Sequence, residues 1–260
     1  MSTVAAIVLG LVQGLSEFLP VSSSGHLVLL QYLLKTPPET VLAVTAVLHL
    51  GTAAALVVYF RRELTGIIAS VCSRASARRR EGLRTIGYVA LGSVPAALVG
   101  ILLRSKIDEL FARPTLVGPM LLVTAAALLV TRFVADRDRP LGWTAALVVG
   151  LAQAVAILPG ISRSGATIAA ALLLGLSRPG AFRFSFILSV PIVLAASVIE
   201  LFAIDWSLVG AGPVALGTFC AFAAGLAALV LLRRAVVGRR FYWFGFYCVA
   251  AGLAALLFIR

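Results

Sequence analysis

Charged residues are scarce in this sequence. Only 12% of its 260 residues are charged, whereas 61% are hydrophobic, and the mean hydropathy is +1.07. A soluble domain ordinarily carries about twice that share of charge. The composition therefore excludes an ordinary water-soluble domain and predicts a single integral membrane domain over residues 1–260.

Acidic residues and cysteines are also few. Ten Asp and Glu stand against 22 Lys and Arg, which gives a net charge of +12. Most arginines lie in short connections between apolar runs, where basic residues orient membrane proteins and contact lipid head groups, so we predict membrane lipids and not nucleic acid as partners. The three cysteines, Cys72, Cys220 and Cys248, have no C-x-x-C spacing, so neither a disulfide framework nor a zinc site is predicted.

Long apolar runs dominate the chain. Six of them reach the ~20 residues that a membrane-spanning helix needs; they cover residues 40–60, 85–103, 116–134, 184–204, 208–232 and 241–259. Two further apolar regions, 4–34 and 142–176, are each broken near the middle by Pro, Gly and Ser. Polar backbone at membrane depth is tolerated only inside protein or beside water, so both regions are predicted to be re-entrant helix-turn-helix hairpins.

The basic residues support this all-α topology of six transmembrane helices and two re-entrant hairpins. If the chain has this topology, sixteen of the 22 Lys and Arg fall in the connections on one side of the membrane and five on the other. The arginine-rich side is predicted to be cytoplasmic. The first hairpin would then enter from outside and the second from the cytoplasm.

The two hairpins are related in sequence. Residues 10–25 (GLVQGLSEFLPVSSSG) and 150–165 (GLAQAVAILPGISRSG) align without a gap at an offset of 140, and a weaker echo links 93–102 with 189–198. Repeats of opposite orientation whose broken helices meet at a binding site are the plan of many secondary transporters. We therefore predict an inverted-topology repeat with both breaks at one site.

Four ionisable residues are predicted at membrane depth: Glu17, His26, His49 and Arg163. Such residues are functional candidates because their burial is costly. Gln13 lies four residues before Glu17, on the same helix face. Carboxylate and carbonyl oxygens suit Mg²⁺ or Ca²⁺, so Glu17 and Gln13 are the predicted divalent-cation ligands. The alternative is that Glu17 only pairs with Arg163 as structural support.

The residues around the breaks favour phosphate binding. Helix N-termini attract anions, and the candidate phosphate-binding residues at the two predicted helix starts are Ser22, Ser24, Gly25, Ser162, Ser164 and Gly165. Any one of these serines could instead be only a helix cap. Arg163 would neutralise phosphoryl charge, and His26 would act as acid or base unless it is a packing residue. His49 and Gln153 are candidate supporting residues.

The motifs QGLSEFLPVSSSGH (13–26) and LPGISRSGAT (158–167) resemble the paired signature of the undecaprenyl-diphosphate phosphatase family of bacteria, the bacitracin-resistance type. The likeness covers nearly the whole chain. It implies hydrolysis of a polyprenyl diphosphate lipid, undecaprenyl diphosphate, to undecaprenyl phosphate and inorganic phosphate, which recycles the carrier lipid for cell-wall synthesis. It also implies a divalent cation and a bacterial plasma-membrane location with the active site on the outer side.

Carried over residue by residue, the resemblance assigns the motif carboxylate to Glu17, the histidine to His26 and the phosphate-binding arginine to Arg163. Its serine cluster falls on Ser22 and Ser23, and two serines flank the arginine. Gln13 stands where many members have Glu, which leaves one carboxylate in the first hairpin. The nucleophile is Ser23 or an activated water.

A transporter or flippase for a polyprenyl phosphate is the alternative function, because the same inverted-repeat site would bind a head group without cleaving it. A pure carrier would have less need of Ser23 and His26. A purely structural bundle would leave the polar groups of the hairpins without a purpose. No protein partner is indicated, and the oligomeric state is left open.

Overall fold

A computed structural model describes residues 3–34, 38–135, 137–203 and 211–259. Lys35 and Arg260, which entered the count of basic residues, lie outside these ranges, as do the last residue of the 184–204 run and the first three of the 208–232 run. Regular structure in the described ranges is helical apart from an isolated bridge between Arg139 and Leu176.

Twelve α-helices occur in the described ranges, together with two short 3₁₀ helices at Pro114–Leu116 and Thr131–Phe133. In chain order they are α1 (Thr3–Phe18), α2 (Ser23–Leu34), α3 (Pro38–Tyr59), α4 (Arg61–Val71), α5 (Ser76–Leu102), α6 (Arg104–Phe111), α7 (Val117–Val130), α8 (Trp143–Val155), α9 (Arg163–Leu173), α10 (Arg178–Ala203), α11 (Ala211–Val237) and α12 (Trp243–Phe258).

Each of the six apolar runs coincides with a helix, and the chain is an all-α, multi-pass membrane protein. Four segments are long and apolar enough to cross a bilayer: Ser76–Leu102, Pro114–Phe133, Arg178–Ile199 and Gly212–Val237. Residues Val44–Tyr59 of α3 together with α4 would make a fifth span, bent by 62°. The sixth run forms α12, which is apolar but only 16 residues long.

The connection 61–84, between the first two apolar runs, is mostly helical. Its first part forms α4, and α5 begins at Ser76, well before the predicted crossing at 85–103. Seven of its 24 residues are arginine, which is a good helix former. Hydropathy finds the apolar part of such a helix and misses its polar extension.

In two of the main helix pairs, a helix from the first half of the chain packs against a helix from the second half. Helix α1 packs against α11, and α8 packs against α5. Gly10 on α1 lies so close to the backbone of Gly217 that a Cβ would not fit, and Gly150 on α8 meets the backbone of Gly92 in the same way. Since Gly10 and Gly150 are matched in the repeat, equivalent small residues allow equivalent close helix approaches.

Aromatic packing fixes the end of α1. Phe18, the last residue of α1, is 0% exposed and meets the ring of Phe186 edge-on at 5.9 Å. Phe186 also stacks on Phe60 at 5.7 Å, and Phe182 joins the same cluster. Such aromatic pairs prefer defined geometries, so this cluster holds the neighbouring residue Glu17 in place.

Candidate active site

The two helix breaks lie against each other. Helix α1 ends at Phe18 and α2 begins at Ser23, while α8 ends at Val155 and α9 begins at Arg163. A Cβ built on Gly25 would lie 3.0 Å from the Cα of Gly160. Two turns separated by about 140 residues of chain therefore touch, so their serine-rich helix starts share one location.

Glu17 is the centre of the polar contacts at this location. Its Oε1 accepts a hydrogen bond from Arg163 Nη2 at 3.0 Å, and its Oε2 accepts from Ser23 Oγ at 2.8 Å and from Gln13 Nε2 at 3.2 Å. The side chains of Glu17 and Arg163 are only 14% and 16% exposed. Four of the residues singled out in the sequence thus meet at one carboxylate.

The serines at the helix starts act as caps. Ser162 Oγ accepts the Gly165 N–H at 3.1 Å, and Ser22 Oγ accepts the Gly25 N–H at 3.3 Å. The hydroxyls of the Ser22–Ser24 pair and of the Ser162–Ser164 pair are both 3.3 Å apart. The two helix starts therefore share one pattern of serine hydrogen bonds, and a role of these serines in phosphate binding stays a prediction.

Two side chains that the sequence analysis did not single out as site residues support the turns. The Cys248 thiol on α12 donates to the carbonyl of Pro20 at 3.4 Å. The Thr124 hydroxyl on α7 donates to the carbonyl of Gly160 at 2.9 Å and accepts the Ser162 N–H at 3.0 Å. Pro20 and Gly160 are matched in the repeat, and α7 packs against α12, so this helix pair holds the two turns at equivalent points.

His26 contacts the first turn and α12. Its Nδ1 lies 2.8 Å from the carbonyl oxygen of Ser22, and its Nε2 lies 2.6 Å from the Tyr247 hydroxyl. Over the described ranges, neither ring nitrogen is bonded to Ser23 or Glu17. The acid or base role of His26 stays a prediction, while the hydroxyl of Ser23 has Glu17 as its acceptor.

A partly open cavity of about 90 Å³ lies beside Glu17, and its lining residues come from α3 and α10: His49, Thr52, Val193, Ala196 and Ser197. His49 Nε2 is 3.9 Å from Glu17 Oε2. His49 therefore reaches the Glu17 cluster directly. Thr52 and Ser197 were not predictable as site residues, because by pattern they are ordinary helix residues.

Gln153 is not brought into the Glu17 cluster. It lies on α8 and is 2% exposed. Neither atom of its amide group has a hydrogen-bond partner in the part of the chain that the structure describes. Its candidate supporting role stays a prediction.

Comparison with known proteins assigns the family. The family model described as bacitracin resistance protein BacA matches residues 6–254. The chain belongs to this family. It is 41% identical over 262 residues to an undecaprenyl-diphosphatase of Korarchaeum cryptofilum, which covers 98% of this chain and 99% of the relative. It is 43% identical over 275 residues to one of Desulfosudis oleivorans, with 97% of each chain covered. The resemblance inferred from the two motifs is confirmed.

Gln13 and Glu17 fit the divalent cation that the family resemblance implies. Gln13 Oε1 is buried and has no hydrogen-bond partner among the described residues, while the Nε2 of the same amide group bonds Glu17. Hard cations take oxygen ligands and complete their shell with waters and substrate phosphates. No group of three or more His, Cys, Asp or Glu suited to a metal occurs in the described ranges, so the protein would supply few of the ligands.

Proposed function

We propose that this protein is an undecaprenyl-diphosphatase, which removes the terminal phosphate of undecaprenyl diphosphate and returns the carrier lipid to cell-wall synthesis. The observation that carries the proposal is the meeting of the Ser23 hydroxyl and the Arg163 guanidinium on the Glu17 carboxylate, within an apolar bundle. Relatives that match almost the whole chain bear this enzyme's name, which favours hydrolysis over transport.

Ser23 is the proposed nucleophile. As its Oγ attacks the terminal phosphorus, Glu17, which already accepts its hydrogen bond at 2.8 Å, takes the proton. The bond from that phosphorus to the bridging oxygen breaks, and the departing undecaprenyl phosphate receives the proton from Glu17. Water then attacks the phosphoserine and gives its proton to Glu17, which returns it to Ser23 Oγ as inorganic phosphate leaves. The alternative is direct attack by a water that Glu17 deprotonates.

Arg163 is proposed to bind the transferred phosphoryl group. Its guanidinium offers several N–H donors in a planar fork that matches phosphate oxygens, and in the structure it faces the carboxylate beside Ser23. The N-termini of α2 and α9 add backbone N–H groups and positive dipole ends. The substrate-binding assignments to Ser22, Ser24, Gly25, Ser162, Ser164 and Gly165 rest on their places at these two helix starts.

The proposed cofactor is Mg²⁺ or Ca²⁺ held by Glu17 and Gln13. When bound, the cation would neutralise part of the diphosphate charge. Glu17 and Gln13 would hold it next to Ser23, and Arg163 would balance the remaining negative charge.

We further propose six transmembrane helices and two re-entrant hairpins, α1–α2 and α8–α9, in an inverted-topology repeat. Each hairpin is interrupted by a polar turn, between α1 and α2 and between α8 and α9. The polar groups of both turns bond other protein atoms, as broken helices at membrane depth require. The first helix of each hairpin packs against a helix from the other half of the chain, α1 against α11 and α8 against α5, which also supports an inverted repeat. With the arginine-rich connections in the cytoplasm, the site would open to the outer face of a bacterial plasma membrane.

Phosphate release by the purified protein tests the function. In detergent with Mg²⁺ or Ca²⁺, the wild type is expected to release inorganic phosphate from undecaprenyl diphosphate, and Ser23→Ala is expected to lose at least ~10³-fold in kcat. Ser70→Ala, on α4, is the matched control and should retain activity. Binding of the lipid without any phosphate release would instead indicate a carrier.

A further inference from the structure

Ser22 has a strained backbone conformation immediately before the proposed nucleophile. Its φ is +66°, in the left-handed region that non-glycine residues rarely adopt. Ser23 follows as the first residue of α2, and its Oγ reaches Glu17 at 2.8 Å. Strained residues persist only where their surroundings hold them. The direction of Ser23 therefore depends on whatever fixes Ser22.

His26 fixes the carbonyl of Ser22 twice. The His26 backbone N–H donates to this oxygen at 3.1 Å, and its ring Nδ1 lies 2.8 Å from it. Because a carbonyl oxygen only accepts hydrogen bonds, Nδ1 must carry a proton. In a neutral imidazole, Nε2 is then an acceptor.

Tyr247 supplies the donor for that acceptor. Its hydroxyl lies 2.6 Å from His26 Nε2, and the two rings are stacked at 5.7 Å with an interplanar angle of 12°. The next residue on α12, Cys248, bonds the carbonyl of Pro20. Helix α12 thus holds the first turn both at Pro20 and, through the His26 ring, at Ser22.

The second hairpin provides an internal comparison. Ser162, the repeat counterpart of Ser22, has an ordinary φ of −76°. Ala166 stands where the first hairpin has His26, so no ring is available to bind the carbonyl of Ser162. The strained Ser22 and the His26 ring that Tyr247 holds therefore occur in the same hairpin, which is the one that carries Ser23.

We propose that Tyr247 is a positioning residue of the active site. It holds His26 as the Nδ1–H tautomer, so that the ring fixes the Ser22 carbonyl and the left-handed turn directs Ser23 toward Glu17. The proposal rests on the function proposed above for Ser23. It makes the Tyr247 hydroxyl the outermost member of a chain of contacts that ends at the nucleophile.

Kinetics test the positioning role. Tyr247→Phe keeps the stacked ring and removes the hydroxyl; it is expected to lower kcat about tenfold and to change KM less than about threefold, because small misplacements of reacting groups slow the chemical step. Tyr242→Phe, at the start of the same helix, is the control. In a His26→Ala background, Tyr247→Phe should change kcat less than about twofold, since both act through one contact. If Tyr247→Phe lowered kcat as much in the His26→Ala background as in the wild type, the proposal would be overturned.

The tautomer is measured without any activity assay. The chain has two histidines, so NMR of a sample with ¹⁵N-labelled histidine gives two imidazole signal sets, and His49→Gln identifies those of His26. We expect the Nδ1–H tautomer in the wild type and a tautomer mixture in Tyr247→Phe. An Nε2–H tautomer in the wild type, or no change in the variant, overturns the proposal. A wild type with the expected tautomer but no phosphatase activity would refute only the proposed function.

Discussion

Replacing Arg163 with alanine tests both consequences of its contact with Glu17. The first is catalytic. Arg163 Nη2 lies 3.0 Å from Oε1 of Glu17, the carboxylate that accepts the Ser23 hydrogen bond, and the Arg163 side chain is only 16% exposed. Bulk water would therefore not replace the guanidinium in the transition state. Removing one such electrostatic contact costs on the order of 4 kcal/mol, which predicts a loss of about a thousandfold in kcat/KM.

The second consequence is structural. Glu17 is 14% exposed, and Arg163→Ala leaves its carboxylate without its strongest partner. Breaking a mostly buried ion pair on one side costs about 3–5 kcal/mol, whereas removing both charges costs much less. Arg163→Ala should therefore lower the thermal stability, and the double variant Glu17→Gln/Arg163→Ala should recover most of it while staying inactive.

Two measurements on the same samples separate these effects. Phosphate release over a range of undecaprenyl diphosphate concentrations gives kcat/KM, and thermal unfolding in detergent gives stability. Arg84→Ala removes an exposed arginine of α5 and is the control for net charge. Activity of Arg163→Ala within tenfold of the wild type would refute the phosphoryl-binding role, and unchanged stability would refute the buried ion pair.

Three further changes test the rest of the site. Gln13→Leu should shift the dependence of activity on Mg²⁺ or Ca²⁺ to higher cation concentrations, and an unchanged cation titration would argue against coordination at Gln13. Gly150→Ala should lower thermal stability because its Cβ would overlap the backbone of Gly92, whereas Gly66→Ala, with open space around it, should not; equal effects would contradict the packing. Thr124→Val removes both hydrogen bonds to the second turn; it should cost about 1–3 kcal/mol in stability, and a variant as stable as wild type would show that these bonds do not hold the turn.

The sequence predicts the helices of this fold better than their partners. Apolar runs and Pro-Gly-Ser breaks are local patterns, so they place the main helices and both interruptions to within a few residues. They miss α4 and the polar start of α5. The pairing of α7 with α12 is a contact between distant segments and leaves no periodic trace. Tyr247 and Thr124 consequently escape notice as site residues, although each bonds a residue of a motif that the sequence displays.

The candidate site is likewise predictable from the sequence only where local patterns reveal it. Glu17 and Arg163 are recognisable because charges within apolar runs are costly to bury, and the structure joins them. The distance from His49 to Glu17 depends on how α3 packs beside α1, which hydropathy does not specify. The hydrogen bond between His26 and Tyr247 likewise depends on how α12 packs beside the first turn. Residue types at the breaks thus predict the members of the site, while their roles depend on contacts made across the bundle.

The repeat explains why two similar hairpins form one site. Ser23 and Arg163 are matched at the offset of 140, and each is the first residue of the second helix of its hairpin. Both side chains reach the same carboxylate, Glu17, from the two sides. The residue matched to Glu17 is Ile157, so the second hairpin offers no second acceptor. A symmetric framework therefore presents a hydroxyl and a guanidinium from equivalent positions, and the one unmatched carboxylate makes their roles different.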